Sequence, residues 1–106
     1  MITEKIKILA VDDEKINLEI MVDDLTYAGY EVICAENGQV AWDLLKQNTD
    51  VLVILLDRMM PVMDGMAFIN KLKKHTVYSH IPVIMQTGAA YKARVSTLST
   101  QLWNAG

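Results

Sequence analysis

Six consecutive apolar residues, VLVILL from Val51 to Leu56, most strongly limit the folds open to this chain. A strand with one face in water alternates apolar and polar residues, whereas a strand covered on both faces has no need to alternate. A buried helical turn is the alternative interpretation, but six residues is short for a helix. The run therefore predicts a strand of a parallel sheet with helices on both faces.

The rest of the chain alternates between similar short segments and stretches with helical spacing. The further predicted strands are apolar and rich in β-branched residues: Ile6–Val11, Glu31–Cys34 and Ile81–Gln86. The predicted helices carry apolar residues three or four positions apart, at Leu18/Met21/Val22/Leu25, Ala41/Leu44/Leu45, Phe68/Ile69/Leu72 and Val95/Leu98/Leu102. This β-α alternation predicts the α/β class, with a doubly wound parallel sheet.

Length and composition exclude several function classes. The chain has 106 residues, enough for one domain, and a formal net charge of −3. No run rich in lysine or arginine stands out, so we expect no nucleic-acid partner for this chain. Cys34 is the only cysteine, which excludes an internal disulfide and suits a reducing compartment. No apolar run resembles a signal sequence or a membrane span, which predicts a cytoplasmic protein.

Polar side chains stand where the predicted strands end. Asp12 and Asp13 follow the first strand, Asp57 follows the third, and Thr87 follows the fourth. The carboxyl ends of parallel strands meet at one edge of the sheet, and ligands of such sheets bind beyond that edge. We therefore expect these four side chains to lie close together. Crowded carboxylates call for a cation, and Mg²⁺ suits a site with few carboxylates and no histidine or cysteine. A carboxylate beside Mg²⁺ can attack phosphorus to form an acyl phosphate.

Each of these residues also has an ordinary structural interpretation. A single aspartate after a strand is usually a helix cap or a turn residue, and a threonine such as Thr87 is often a turn residue. Asp64, for example, is expected to cap the third helix, and Gly29 is expected to end the first. The joint placement of four such residues at consecutive strand ends is what favours a functional site.

Three stretches resemble the motifs of response-regulator receiver domains of two-component signalling. They are ILAVDDEKINLEIM (Ile8–Met21), LLDRMMPVMDG (Leu55–Gly65) and IPVIMQTGA (Ile81–Ala89). The resemblance extends over almost the whole chain through Ala89. It implies a flavodoxin-like strand order of 2-1-3-4 and a phosphoacceptor switch in place of a conventional enzyme.

The resemblance also implies a role for each site residue. Asp57 would receive a phosphoryl group from a histidine kinase or a phosphotransfer protein. Asp13 would bind Mg²⁺ directly, Asp12 directly or through water, and Asp57 and the backbone carbonyl of Met59 would complete the protein ligands. Thr87 would bond the phosphoryl group and move on activation.

The end of the chain departs from the family pattern. Receiver domains usually continue into a fifth strand, with a lysine at its end, and a fifth helix, whereas this chain stops at Ala105-Gly106. Residues 1–106 are therefore expected to form a single receiver domain that is incomplete at its C-terminus. We expect an open edge on the fourth strand, an apolar patch of sheet without helix cover, and a homodimer or strand exchange through that edge. Absence of the lysine predicts slow phosphorylation.

Three other functions remain open from the residues alone. One is a receiver-like protein-interaction module that carries no phosphoryl group. Another is a flavodoxin-type cofactor binder, although the acidic run Asp12–Glu14 would repel a phosphate. The last is a Mg²⁺-dependent hydrolase with an aspartyl nucleophile, although Arg58 and Met59 stand where a second acidic residue is wanted.

Overall fold

A computed structural model describes residues 6–57, 62–86, 95 and 97 of the chain. Strands and helices alternate along these residues, in the order β1 Lys7–Val11, α1 Lys15–Tyr27, β2 Glu31–Ala35, α2 Gly38–Gln47, β3 Val51–Asp57, α3 Val62–Lys74, a single 3₁₀ turn Tyr78–His80, and β4 Val83–Gln86. No helix in this part of the chain is both long enough and apolar enough to cross a membrane.

The four strands form one parallel sheet in the order β2-β1-β3-β4. This confirms the predicted doubly wound α/β class and the predicted 2-1-3-4 strand order. The strand order reverses between β1 and β3, and in sheets of this type that is where the ligand crevice opens. β1 and β3 are therefore the strands whose carboxyl ends position a site.

Successive side chains of the central strands enter two separate apolar cores. In β1, Leu9 and Val11 pack on the side of α2 and α3, whereas Ile8 and Ala10 pack on the side of α1. β3 divides in the same way, which explains why Val51–Leu56 shows no polar alternation. Both faces of β1 and β3 are therefore buried beneath the carboxyl edge.

Two strand boundaries differ from the sequence prediction for identifiable reasons. Asp57 is the last residue of β3 and pairs with Gln86, whereas the sequence placed it just beyond the strand. β4 begins at Val83, not Ile81. Pro82 has no N–H to donate to the sheet, although its carbonyl accepts a hydrogen bond from the Ile54 N–H at 3.0 Å.

Local hydrogen bonds fix the ends of the first two helices. α1 ends in a Schellman motif, in which the N–H of Gly29 reaches the Thr26 carbonyl and the N–H of Tyr30 reaches the Leu25 carbonyl. Gly29 has φ 101°, as this motif requires, so the predicted stop is confirmed. Asn37 caps the start of α2, because its side-chain oxygen accepts the N–H of Val40 at 2.8 Å.

The predicted cap of the third helix is wrong. α3 already begins at Val62, so Asp64 lies inside the first turn of the helix and not in front of it. Glycine and aspartate inside LLDRMMPVMDG favour a turn when read singly, but the apolar periodicity of the following residues extends the helix back past them.

The apolar sheet face beside α1 is covered in the described residues, contrary to the sequence prediction of a bare patch. Ile8, Ala10, Val53 and Ile84 on that face are at most 1% exposed. Val95 is helical, fully buried and packed within the same cluster. β4 pairs only with β3 among the described strands, as expected for the last strand of the sheet. Strand exchange or a homodimer through that edge stays a prediction.

A lysine binds two carboxylates at the opposite, amino end of the sheet. Lys7 Nζ lies 3.0 Å from Asp50 Oδ1, 3.4 Å from Glu31 Oε2 and 3.3 Å from Asn48 Oδ1. The hydrogen bond with Asp50 is the largest cause that raises the pKa of Lys7, and the same contact lowers the pKa of Asp50. This cluster joins the starts of β1, β2 and β3.

Candidate metal centre

Three carboxylates meet at the carboxyl edge of β1 and β3. Val11 pairs with Leu56, so Asp12 and Asp57, the next residue of each segment, stand side by side. Asp13 follows Asp12 at the start of the loop to α1. One carboxylate oxygen of each of Asp12, Asp13 and Asp57 lies within 4.8 Å of the other two. The strand-end prediction for these three residues is therefore confirmed in its geometry.

The three carboxylates differ in exposure and support. Asp12 is 0% exposed and Asp57 is 7% exposed, whereas Asp13 is exposed to solvent. Asp12 accepts a hydrogen bond on Oδ1 from the Glu14 N–H at 2.9 Å, and its own N–H donates to the Ala35 carbonyl at 3.1 Å. Asp12 is therefore fixed by β2 and by the first turn of α1, while Asp13 faces solvent beside it.

Burial and crowding raise the pKa of Asp12 to about 6. Removal from water is the largest cause, and the neighbouring Asp57 carboxylate raises the pKa further. Hydrogen bonds from the Glu14 N–H and from the Asn17 side chain act in the opposite direction. Near neutral pH the cluster therefore holds buried negative charge that a proton or a metal ion would stabilise.

The donor set fits magnesium. All three groups are carboxylates, which are hard oxygen ligands, and neither histidine nor cysteine belongs to the cluster. Mg²⁺ uses one or two carboxylates together with water and phosphate oxygens, while zinc favours nitrogen and sulfur ligands. The exposed position of Asp13 leaves room for such additional ligands.

The two other predicted site residues, Thr87 and Met59, lie outside the described residues.

Sequence reasoning missed Asn17, whose side chain bonds the Asp12 carboxylate. The available signal was its place in the first turn of α1, four residues after Asp13 and directly behind the acidic pair.

Comparison with known protein families identifies the family of this chain. The family model described as "Response regulator receiver domain" matches residues 8–102, which include Asp12, Asp13 and Asp57. The chain belongs to the response-regulator receiver domain family. Receiver domains act as phosphoacceptor switches and bind Mg²⁺ at an acidic pocket, and the three clustered aspartates of this chain could hold a metal ion.

Similar proteins include chemotaxis regulators. The receiver domain is 40% identical over 92 residues to a "Chemotaxis protein CheY homolog" of Campylobacter jejuni, covering 86% of this chain and 71% of that protein. It is 38% identical over 92 residues to "Chemotaxis protein CheY1" of Helicobacter pylori, covering 86% and 74%. Its fold is similar to the solved structure of the chemotaxis response regulator CheY4 of Vibrio cholerae, with a TM-score of 0.69, 31% identity, and coverage of 86% and 77%.

Proposed function

We propose that Asp57 of this receiver domain accepts a phosphoryl group from a phosphohistidine on a histidine kinase or a phosphotransfer protein, in the cytoplasm. The observation that carries the proposal is the convergence of three carboxylates within 4.8 Å, with Asp57 at the edge of the sheet, 7% exposed, beside the solvent-exposed Asp13. A carboxylate oxygen of Asp57 forms a bond to phosphorus while the bond from phosphorus to the donor imidazole nitrogen breaks. The imidazole leaves with that electron pair and takes up a proton.

In this proposal Asp12, Asp13 and Asp57 hold Mg²⁺. The bound ion would neutralise charge on the transferring phosphoryl oxygens. Asp12 positions the cluster, because its backbone bond to Ala35 and its side-chain bond from Glu14 fix the end of β1. Thr87 and Met59 keep the roles that the resemblance implies, as a phosphoryl hydrogen-bond donor and a carbonyl ligand.

α1 offers a surface for the phosphoryl donor. Ile16 and Ile20 lie one helical turn apart and are 70% and 52% exposed, although most isoleucines are buried. α1 begins only two residues after Asp13. A partner helix that covers these two isoleucines would bring its histidine close to Asp57.

Labelling with acetyl phosphate tests the phosphoacceptor directly. We expect Mg²⁺-dependent label on the parent chain and none on Asp57→Asn, because an amide cannot form the acyl phosphate. Asp43→Asn is the matched control, since Asp43 is a half-exposed residue of α2 outside the acidic edge. Undiminished label on Asp57→Asn would contradict the proposal. A folded parent chain that takes no label and does not bind beryllofluoride would favour the interaction module instead.

A further inference from the structure

A groove of about 700 Å³ lies between α1 and α2, across the outer edge of β2. This volume is within the range of roughly 300–1,000 Å³ that is usual for ligand clefts. Its apolar part is formed by Leu18 and Val22 of α1, Cys34 of β2 and Val40 of α2. Asp13 belongs to its lining, so the groove opens beside the acidic edge. The proposed phosphoryl transfer does not use the remainder of it.

Most of the charged side chains around this groove are negative. Asp13, Glu19, Asp23 and Glu36 contribute four carboxylates to the lining, and Lys15 contributes the one ammonium group. Within the part of the chain that the structure describes, no ion pair engages Glu19, Asp23 or Glu36. An apolar floor with an acidic rim is complementary to an occupant that is both apolar and basic.

The backbone at the groove is an open strand edge. Glu31 donates its N–H to the Ile6 carbonyl, and the Ala35 carbonyl accepts the N–H of Asp12, so both residues face β1. Backbone groups of a parallel strand alternate between its two sides, which directs the N–H and C=O of Cys34 to the outer side. β2 is the end strand of the sheet among the described residues. An extended segment lying in the groove can therefore bond to backbone as well as to side chains.

We propose that this groove binds a short extended segment of a partner protein, in which basic and apolar residues alternate. Alternation sends every second side chain of a strand to the same side, so apolar residues reach the floor while basic residues reach the rim. The chain has a net charge of −3, so electrostatic repulsion disfavours other negatively charged occupants. These include a second copy of this chain, a nucleic acid and an anionic lipid surface. The inference goes beyond the proposed function, because it requires neither Mg²⁺ nor a phosphoryl group.

Cys34 supplies a built-in footprint for the test. It is the only cysteine of the chain, it is exposed, and it lines the groove. Partial removal of the thiol from water raises its pKa, so alkylation by a maleimide is best followed at pH 8. The probe is an acetylated, amidated octapeptide of alternating lysine and valine. We expect this peptide to slow alkylation of Cys34 saturably, by about tenfold or more at saturation, and less strongly as salt is raised.

Charge variants distinguish a specific groove from general attraction. Glu19→Gln and Glu36→Gln should each raise the apparent Kd of the peptide about two- to fivefold, the range of a partly exposed ion pair. Asp43→Asn removes one equal charge outside the groove and should leave the Kd unchanged. Asp57→Asn should also leave it unchanged, which separates this test from the test of phosphoryl transfer. Far-ultraviolet circular dichroism confirms that each variant is folded.

Several results would overturn the inference. One is unchanged alkylation at millimolar peptide, and another is equal protection by a peptide of alternating glutamate and valine. A Kd shift in Asp43→Asn as large as in Glu19→Gln would mean that only the overall charge matters. Protection by spermidine equal to that by the peptide would reveal a general cation site. Protection that grows with protein concentration alone would assign the groove to a second copy of the chain.

Discussion

Asp12 is fully buried beside a second carboxylate, and folding raises its pKa. Its pKa is raised from the ordinary 3.8 to about 6 by burial first and by the charge of Asp57 after it. The folded chain therefore binds this proton more tightly than the unfolded chain does. In the proposed magnesium site, a proton and the metal ion would compete for this carboxylate.

This acidity predicts how the stability of the metal-free chain depends on pH. A raised folded-state pKa contributes stability that is complete below about pH 3.8 and is lost as the pH rises through about 6. Asp12 should therefore lower the free energy of unfolding by about 2 kcal/mol between pH 4 and pH 7. Urea unfolding in EDTA at several pH values, compared with Asp12→Asn, isolates this contribution. Parallel pH profiles for the parent and the variant would show that the prediction is wrong.

Much of the candidate site could be predicted residue by residue. Asp12, Asp13 and Asp57 follow or end apolar strands, and parallel strands bring such residues to one edge. The sequence could not show that Asp12 is buried while Asp13 is exposed, since that depends on how the loop turns into α1. The contact of Asn17 with Asp12 depends on the same turn.

α1 presents two apolar surfaces with different purposes. Leu18, Met21 and Leu25 are buried against the sheet, and their spacing predicted the helix. Ile16 and Ile20 interrupt the simple pattern because they are apolar yet exposed. A helix with a core face and an outer apolar pair suits a partner-binding element.

Substitution of the outer pair should separate donor recognition from chemistry. We expect Ile16→Ser/Ile20→Ser to slow phosphoryl transfer from a histidine kinase that phosphorylates the parent chain, by about tenfold or more, as loss of a central apolar contact does. Labelling by acetyl phosphate should stay at the parent rate, because the small donor needs no docking surface. Tyr27→Ser is the control, since Tyr27 is 94% exposed at the far end of the same helix. Equal rates for parent and double variant would refute the assignment of this surface.

The N-terminal cap of α2 makes a separate prediction about stability. Asn37→Ala removes the acceptor of the Val40 N–H and should lower the free energy of unfolding by about 1 kcal/mol. Gln39→Ala, at an exposed position two residues further on, should change it by less than about 0.5 kcal/mol. Urea unfolding of the three proteins measures both effects. An effect at Gln39 as large as that at Asn37 would argue against the cap.

Helix and strand boundaries were less predictable than the elements themselves. Pro82 delays the start of β4 because it lacks a donor, whereas the apolar pattern alone began the strand at Ile81. Aspartate is a common helix cap, but Asp64 lies within α3. Packing of the apolar stripe at Phe68 and Leu72 outweighs the preference of aspartate for the position before a helix.

For the whole molecule, the class and strand order followed from the pattern and the resemblance, while the covering of the sheet did not. Alternation along β1 and β3 already required two covered faces. The face on which Val95 packs could not be predicted, because an amphipathic stretch after β4 can lie on either side of the sheet. The buried position of Val95 beside Ile84 removes the bare patch expected from the sequence at the described residues.

Magnesium should stabilise the molecule as a whole. An ion held by Asp12 and Asp57 ties together the ends of β1 and β3, and ligand at 100 times its Kd adds about 2.7 kcal/mol to the free energy of unfolding. The gain should be clear at pH 7.5 and smaller at pH 5, because protons displace the metal from carboxylates. It should also be smaller in Asp57→Asn, which keeps only two of the three carboxylates. Thermal unfolding with and without Mg²⁺ measures it. An equal gain at both pH values, or in Asp57→Asn, would contradict the assignment of the ligands.

The lysine cluster at the amino end of the sheet has a consequence for how a signal can leave this molecule. Lys7 contacts Asp50, Glu31 and Asn48, so its one ammonium group already has three partners at that pole of the sheet. If Asp57 is phosphorylated as proposed, we expect the response to appear in the flanking helices and their surfaces, while the contacts of Lys7 at the base of the sheet stay unchanged.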